Sequence, residues 1–536
     1  MLNKLMKYIK FLKHMQVTLS PTAKNPHTEE QNNLQKSLDD NITSLKKVFG
    51  KSDDVIFREF YFGVKNQTKA FICLIDGLGD KNLIIEDIVK SLMVNMHVTD
   101  PSGKLVDKHN LFNDMKNYII NIVETKDVKT IDEAVNAVLS GNTLLLLDGC
   151  TSGFSISAKG GERRPIQPPE TEVVVRGSRE GFVETLRVNT SMLRRVIKNP
   201  NLVFESMVAG RQTNTDISIA YIDGIVNEKI VQEVRDRISR IDNDSVLESG
   251  YIEQMIDDNP LSPFSTIGNS ERPDKVSAKL LEGRVAILCN GTPVVLTVPC
   301  MFIEAFQVPE DYYSRPILSN FIRLLRLLAF FITLTLPSLY ISLTTFHQEM
   351  VPTVLLISFA AAREGIPFPV FIETLVSETI FQILRESGIR MPRAVGGAVS
   401  IVGTLVIGEA AVNAGILGAP MVIITALTAI TSFIIPPLYD GILVFKLILI
   451  FLSGAFGLFG VLVGMLCMLA HMCSLRSFGT PYMSPFAPVN WIDMKDSILR
   501  FPLWFMRYRP ESVAWKKSKR QSNAQMPNKP NKRKRS

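Results

Sequence analysis

The sequence lacks the short motifs that mark the common enzyme classes. Its 536 residues contain no GxxxxGK followed by Ser or Thr, no HExxH and no GxSxG, and the six histidines are scattered. These patterns supply phosphate-binding loops, zinc ligands and serine nucleophiles. Their absence gives an enzyme little support, so we predict no catalytic activity, no cofactor and no metal.

Cysteine is also scarce, and its placement argues against disulfides and metal sites. No CxxC pair occurs, and no cysteine has a histidine at metal-ligand spacing. Each cysteine stands in an apolar context, which is typical of reduced packing residues. The six are Cys73, Cys150, Cys289, Cys300, Cys467 and Cys473.

Positive charge is concentrated at the two ends of the chain. The formal net charge is +7, and the tail after Glu511 has no acid and nine Lys or Arg residues. We interpret this tail as disordered, with anionic lipid or plain solvation as its surroundings and no nucleic acid as partner. The first residues carry four lysines opposite an apolar helical face, which suits an anionic membrane surface or a frayed basic terminus: Lys4, Lys7, Lys10 and Lys13.

The composition divides the chain into a soluble half and a membrane-like half. Residues 1–310 mix charged and apolar residues, whereas residues 317–474 contain long apolar runs such as "LLAFFITLTLPSLYISLTTF". Lysines interrupt the apolar residues at the start, so we expect no secretory signal and a cytoplasmic soluble half. The predicted fold class is an α/β soluble N-terminal half followed by an all-α polytopic membrane domain.

The soluble half looks like a duplication. "KAFICLIDGLGDKNLIIEDIVKSL" and "DISIAYIDGIVNEKIVQEVRDRI" both read as strand, Asp-Gly turn and helix, and each is followed by a second helix and strand. Asp76 and Asp148 stand 72 residues apart, and Asp223 and Asn290 stand 67 apart. We predict two related α/β subdomains within a five-part organisation: a basic segment and linker (1–50), the subdomains (51–165 and 166–300), a transmembrane helical domain (310–475) and a basic tail (476–536).

Two features of the soluble half have competing interpretations. The four Asp-Gly or Asn-Gly pairs are typical of turns with positive φ, and ligand contact is the minor alternative. In "RGSREGFVETLRVNTSMLRRVIKNP" the arginines lie off the apolar face, where they form either a phosphate-binding stripe or, with more support, a solvated or subunit-contacting face: Arg187, Arg194 and Arg195.

Arginines on either side of the first apolar run indicate the membrane orientation. Arg315, Arg323 and Arg326 precede the run and no Lys or Arg directly follows it, so the N-terminal domain is predicted to be cytoplasmic. Three apolar blocks then separate "RESGIRMPR" from the tail: 394–417, 419–438 and 442–470. Three single crossings cannot return the chain to its starting side, so four or six crossings stay open, and we predict both termini inside.

The block around residues 350–385 contains a helix break next to charged residues. Gly365, Pro367 and Pro369 cannot continue a regular helix, and Glu373 and Glu378 follow in the second helix. In an oligomer, one carboxylate per chain forms a ring that selects cations. The alternative is structural: Arg363 neutralises Glu364, Arg385 neutralises a neighbour, and Glu409, the buried membrane carboxylate, bonds within its bundle.

Several long segments resemble a known family. "RGSREGFVETLRVNTSMLRRVIKNP", "NPLSPFSTIGNSERPDKVSAKLLEGRVAILCNGTPVVLTVP", "FIEAFQVPEDYY" and "REGIPFPVFIETL" resemble the A subunit of bacterial spore germinant receptors, over residues 50–490. The resemblance implies an endospore inner-membrane protein that works with a transporter-like B subunit and a lipoprotein C subunit in response to nutrients.

The same resemblance implies a function for the broken helix. The family's A subunit is expected to form a ring whose membrane part conducts ions, so residues 363–369, Glu373 and Glu378 become the positions nearest a pore. A ligand-gated channel subunit, a secondary transporter and a non-conducting docking scaffold all stay open. A transporter would predict matching breaks in two membrane halves, and the sequence displays one such break.

Overall fold

The computed structural model describes residues 33–62, 68–80, 84, 125–157, 160, 169, 172, 174–390, 408–491, 493–514 and 519–521. These residues form two five-stranded sheets followed by a bundle of apolar helices. The predicted fold class is therefore confirmed. The lysine-bearing N-terminal face, residues 394–407 of the first apolar block and most of the basic tail lie outside the described residues.

The first sheet is antiparallel throughout, with strand order β1-β2-β4-β5-β3. Helices α1 (Leu38–Phe49) and α2 (Ile131–Leu139) pack their apolar residues on one face of it. Thr130 and Glu133 close a capping box at the start of α2. The strands are β1 (Val55–Phe62), β2 (Thr68–Ile75), β3 (Thr125–Val128), β4 (Thr143–Leu147) and β5 (Gly153–Ile156).

The second sheet repeats this arrangement as β6-β7-β9-β10-β8, again antiparallel. The matching strand order and pairing are the result that the duplication predicts. Helices cover both faces of this sheet: α3 (Leu186–Val196), α4 (Glu228–Ser239), α5 (Ser249–Ile256) and α6 (Pro273–Glu282). The strands are β6 (Leu202–Ala209), β7 (Thr215–Ile222), β8 (Gly268–Ser270), β9 (Val285–Cys289) and β10 (Val295–Val298).

The four Asp-Gly and Asn-Gly pairs form turns at strand ends, as expected. Their glycines have φ values of 84°, 84°, 78° and 91° at Gly77, Gly149, Gly224 and Gly291. This left-handed region strongly favours glycine. Two of the polar side chains also accept hydrogen bonds from backbone amides at helix starts. Asp148 accepts from the Leu38 amide (3.5 Å) and Asn290 from the Leu186 amide (3.1 Å).

The domain boundary at residue 50 needs correction. Residues up to 50 were predicted to be a basic segment and linker, but Leu38, Ile42, Leu45 and Phe49 of α1 are buried in the core of the first subdomain. The Asn-rich, polar sequence suggested a linker because α1 buries only one stripe of apolar side chains and exposes its other residues. The first subdomain therefore starts near residue 33.

Arg194 joins the two subdomains through a buried ion pair. Its guanidinium donates to both carboxylate oxygens of Asp54, at 2.7 and 2.8 Å, and to the hydroxyl of Ser52 at 2.8 Å. Arg194 and Asp54 are 0% and 1% exposed. The predicted solvated face is therefore wrong for Arg194, whereas Arg195, at 46% exposure, fits that prediction.

Replacing Arg194 with methionine is expected to destabilise the soluble half by about 3 to 5 kcal/mol, because Asp54 would stay buried without a partner. Arg195→Met on the same helix is the matched control and should change stability by about 1 kcal/mol or less. Pulse proteolysis of the full chain across a urea series measures both values. Equal effects of the two substitutions would contradict the assigned role of Arg194.

A connecting segment and a set of helices follow the second sheet. A short 3-10 helix (Phe302–Phe306) leads to α7, and two stretches, Pro316–Thr345 and Pro436–Ser474, are long and apolar enough to cross a membrane by length and composition. The helices are α7 (Glu310–Tyr313), α8 (Pro316–Thr345), α9 (Thr353–Ala361), α10 (Val370–Arg390), α11 (Gly408–Asn413), α12 (Ala419–Ser432) and α13 (Tyr439–Ser474).

Helix α13 is folded back on itself at Gly457. This residue has φ 59° and ψ −141°, a conformation essentially restricted to glycine. The rings of Phe445 and His471 lie 6.1 Å apart, whereas 26 residues of straight helix would span roughly 39 Å. Gly460 and Gly464 allow the two legs (439–456 and 458–474) to pack closely against Leu452. The apolar block 442–470, counted as one crossing from the sequence, therefore forms a hairpin of two legs.

Helices α10 and α12 run in the same direction. Ser377 bonds Thr425 at 2.7 Å, and further along both helices the Arg385 guanidinium lies 5.3 Å from the ring centre of Phe433. Two parallel neighbours must be joined by a chain that returns to the starting end. The segment that joins α10 to α11, residues 391–407, lies outside the described residues.

The predicted tail also needs correction, because residues 476–514 are folded. Strands β11 (Arg476–Ser477) and β12 (Thr480–Pro481) form a hairpin, and Phe478 at its tip is buried in the core of the second subdomain. The Ser477 hydroxyl donates to the Thr266 carbonyl at 2.7 Å. The chain leaving α13 thus returns to the soluble half.

Glu304 lies at the centre of the connection between the second subdomain and the helices. It forms ion pairs with Arg284 and with Lys279, the latter at 3.1 Å, and accepts from the Met301 amide at 2.7 Å. Burial alone would raise the pKa of Glu304, but the two cations and this hydrogen bond lower it from 4.5 to about 2.

This shift predicts an acid-sensitive contribution to stability. A carboxyl whose pKa is lower in the folded state stabilises above its unfolded pKa and loses that effect as pH falls through about 2. The shift corresponds to roughly 3 kcal/mol. The stability difference between wild type and Glu304→Gln should therefore be largest above about pH 5 and shrink below about pH 4. A difference independent of pH, measured by unfolding at each pH, would contradict the assignment.

Candidate functional site

The candidate site begins at the break between α9 and α10. As predicted, the block is two helices, and residues 362–369 join them. Glu364, Gly365, Pro367 and Pro369 are exposed on the protomer surface. The break packs against the loop between α11 and α12, where a side chain on Gly415 would come within 3.1 Å of the Gly365 carbonyl oxygen.

Glu373, one turn into α10, is buried between these two loops. It is 0% exposed, and its Oε1 accepts from the Gly418 amide at 2.6 Å. Gly418 precedes the first turn of α12, so the partial positive charge of that helix end favours the carboxylate. Oε2 lies 3.4 Å from Nε of Arg363 and has no hydrogen bond.

Glu378 forms a second buried ion pair, near the middle of the bundle. Its Oε2 lies 2.6 Å from Nζ of Lys446, and the two side chains are 3% and 4% exposed. Lys446 lies about midway along the first leg of α13. Oε1 of Glu378 has no hydrogen-bond partner. Removing both charges from water costs free energy at this depth, so the pair marks a candidate functional position.

The polar face of α10 continues towards the soluble half. Gln382 accepts from the Tyr439 hydroxyl at 2.5 Å, and the Arg385 guanidinium lies 3.1 Å from the Tyr439 ring centre. A guanidinium stacks on an aromatic face by cation–π attraction, which accounts for this contact. The α10 residues on this face are Glu373, Thr374, Ser377, Glu378, Gln382 and Arg385.

Hydroxyl groups extend the polar interior across three helices. Ser377 of α10 bonds Thr425 of α12, and Thr431 of α12 bonds Thr333 of α8 at 2.7 Å. Most of these hydroxyls also donate to a carbonyl one turn earlier, which satisfies them inside an apolar bundle. The bundle interior therefore contains both charge and hydrogen-bonding capacity.

The structure brings some predicted site residues together and leaves others apart. Arg363 pairs with Glu373, not with Glu364 as the structural alternative had it. Glu409 was predicted to be a buried carboxylate, but it is exposed on α11, so that prediction is wrong.

Sequence reasoning missed Lys446, the partner of Glu378. Its signal was available, because it is a lone charge in the apolar run "GILVFKLILIFLSG". Among the described residues, no group of His, Cys, Asp and Glu is arranged to hold a metal ion. All six cysteines are described and are free thiols, and burial raises the pKa of Cys289 to about 11 and of Cys300 to about 12.

Comparison of the sequence with known proteins identifies the family of this chain. Residues 43–512 match the model of the Bacillus/Clostridium GerA spore germination protein. The chain belongs to the GerA spore germination family. It is 46% identical to spore germination protein KA of Bacillus subtilis (strain 168), over 92% of this chain and 90% of that protein.

Other GerA relatives include proteins of different description. An uncharacterized membrane protein, YfkQ, of Bacillus subtilis (strain 168) is 42% identical over 89% of this chain and 91% of its own length. The crystal structure of the N-terminal domain of the A subunit of the Bacillus megaterium spore germinant receptor GerK3 is 36% identical. It covers 51% of this chain and 98% of that domain, with a TM-score of 0.41. None of these relatives is named for an enzymatic activity.

Proposed function

We propose that this GerA protein is the A subunit of a nutrient germinant receptor in the spore inner membrane, and that it forms an oligomeric, ligand-gated cation channel. The observation that carries the proposal is the Glu378–Lys446 pair near the middle of an otherwise apolar bundle. A bundle that only anchored the soluble half would need no buried charge there. The name of the YfkQ relative supports the membrane location.

The proposed topology has six crossings with both soluble parts in the cytoplasm. The described crossings are α8, α10, α12 and the two legs of α13, and a sixth is needed between α10 and α12 because these two helices run in the same direction. Three single crossings after "RESGIRMPR" could not return the chain to its starting side. The hairpin at Gly457 adds one crossing, because the last apolar block contains two helical legs. The folded return of residues 476–514 to the second subdomain requires an even number.

Within this channel, the site residues divide into two roles. Glu364, Gly365, Pro367 and Pro369 lie on the protomer surface, where an ion path between copies can reach them. Glu409 shares this exposure. Arg363, Glu373 and Glu378 lie inside and hold the break against α12 and α13. Opening would then exchange these internal pairs for contacts with ions or water.

The proposed partners follow from the family. A transporter-like B subunit, which we expect to make most nutrient contacts, and a lipoprotein C subunit complete the receptor, and copies of this chain form the ring. The basic ends of the chain would contact anionic lipid.

Two other functions have specific support. A non-conducting docking scaffold would use the closed Arg363–Glu373 and Glu378–Lys446 pairs only for stability. A transporter-like component would use the facing loops around Glu373, because interrupted helices that point at one site are typical of transporters. A measurement of ion flux separates both from a channel.

The decisive experiment measures monovalent-cation release from liposomes that contain the receptor with its B and C subunits, with and without germinant. Glu378→Gln and Lys446→Met alone should each lower receptor abundance, since the partner charge is left unpaired at a cost of about 3 to 5 kcal/mol. The double variant should restore abundance but keep an altered cation flux or selectivity.

Glu386→Gln is the matched control, because Glu386 is an exposed carboxylate that pairs with Arg390 on the same helix, and both abundance and flux should stay unchanged. Normal flux and selectivity in the double variant would make the buried pair structural. Absence of germinant-dependent flux in the wild-type receptor would contradict the channel.

A further inference from the structure

The folded part of the C-terminal segment exposes an unusual number of large apolar side chains. Residues 489–491 and 493–508, here called the C-terminal foot, form two short 3-10 helices and connecting turns. Trp491 is 78% exposed. Further exposed apolar or aromatic residues of the foot are Val489, Leu499, Phe501, Leu503 and Tyr508. A soluble surface rarely gathers such residues without a partner.

The foot is fixed beside the first turns of α8. Its Arg500 amide donates to the Asn320 side chain at 2.6 Å, and the Arg500 guanidinium donates to backbone carbonyls just before α8, including that of Ser314 at 3.1 Å. Asp496 of the foot accepts from Arg323 at 2.8 Å. These contacts hold the foot where α8 leaves the soluble half.

The neighbouring surface of α8 is apolar as well. Ile317, Phe321, Leu324, Leu328 and Phe331 are exposed and follow helical spacing, so one stripe runs from the foot into the long apolar part of α8. The foot is bonded to Asn320 and Arg323 of α8, and the exposed apolar residues Phe321 and Leu324 are their neighbours in the sequence.

The charges of the foot favour an anionic surface. Its acids are engaged internally, since Asp493 accepts from the amides of Glu511 and Ser512, and Asp496 binds Arg323. The side chains of Lys495 and Arg507 have no ion pair among the described residues. Lys495 instead lies over aromatic rings of the foot.

We propose that the C-terminal foot docks on the headgroup region of the anionic leaflet that faces the soluble half. Tryptophan and tyrosine prefer this interface, because it accommodates an apolar ring with a polar edge, and lysine and arginine add attraction to anionic lipid. The proposal rests on the membrane placement proposed above. It differs from the basic tail in requiring a folded, aromatic surface anchored to α8.

The native tryptophans provide a direct test. The chain has three, Trp491, Trp504 and Trp515, all in or just after the foot. The full chain with Trp515→Phe is placed in lipid nanodiscs, and emission is compared between ordinary lipids and lipids brominated at shallow or deep acyl positions. A second substitution, Trp504→Phe, isolates Trp491.

Docking predicts loss of emission in brominated discs, larger for shallow than for deep bromines, and larger when the discs contain anionic lipid. As a control, all three tryptophans are changed to phenylalanine and Tyr61→Trp is added on the exposed face of β1. Emission of this variant should not change with bromination, since Tyr61 lies in the soluble half.

The remaining outcomes overturn the proposal. Emission unchanged by bromine in a chain that co-purifies with discs would leave the membrane placement standing and remove the foot from the lipid. Blue-shifted emission that is shielded from acrylamide but insensitive to bromine would mean that a protein copy covers the foot. Failure of the chain to enter discs would overturn both the docking and the membrane placement.

Discussion

One buried residue, Asp311 of α7, joins the three parts of the molecule through its carboxylate and its backbone carbonyl. Arg323 and Arg326 of α8 both contact it, at 3.0 and 2.7 Å, and Arg500 of the C-terminal foot donates to the Asp311 backbone carbonyl. Asp311 is 2% exposed, so its charge would be costly without these partners. The arginines from which the membrane orientation is predicted are thus also structural. The segment that leaves the soluble half, the first apolar helix and the returning C-terminal segment therefore meet at one residue.

The same constraint shapes the helical half. Because the chain starts and ends at the soluble half, the helices between must form pairs that go out and return. Gly457 completes the last pair by turning α13 into a hairpin, and the first leg then brings Lys446 to Glu378. The interior so formed is polar where a simple anchor would be apolar. In the proposed channel, opening of the Glu378–Lys446 pair would give the bundle a second arrangement of its polar groups, which is what gating requires.

Local chemistry made much of this predictable. The two sheets, the Asp-Gly turns and the helix break followed from periodicity and turn residues, which depend on a few neighbours in sequence. What escaped prediction depends on distant partners. Lys446 lies 68 residues from Glu378, and Arg194 lies 140 residues from Asp54, so neither pair leaves a local pattern. Gly457 lies in a run of glycines that is typical of close helix packing. A glycine that turns the chain inside an apolar run looks the same in the sequence, so the hairpin could not be predicted. The polar residues of α1 and the basic composition of the C-terminal segment likewise concealed folded segments, because each buries only a few of its residues.

In the proposed topology, α13 crosses the membrane twice, so that the soluble half and the C-terminal segment lie on the same side. Cysteine accessibility in sealed vesicles tests it most directly, with a membrane-impermeant maleimide and a background from which the six native cysteines have been removed. Asp440→Cys and Ser474→Cys mark the two ends of the hairpin, and Ala455→Cys marks its tip; all three positions are exposed in the protomer. The proposed topology predicts labelling of residues 440 and 474 from the side of the soluble half and of residue 455 from the opposite side. Labelling of residues 440 and 474 from opposite sides, with residue 455 unreachable, would contradict it.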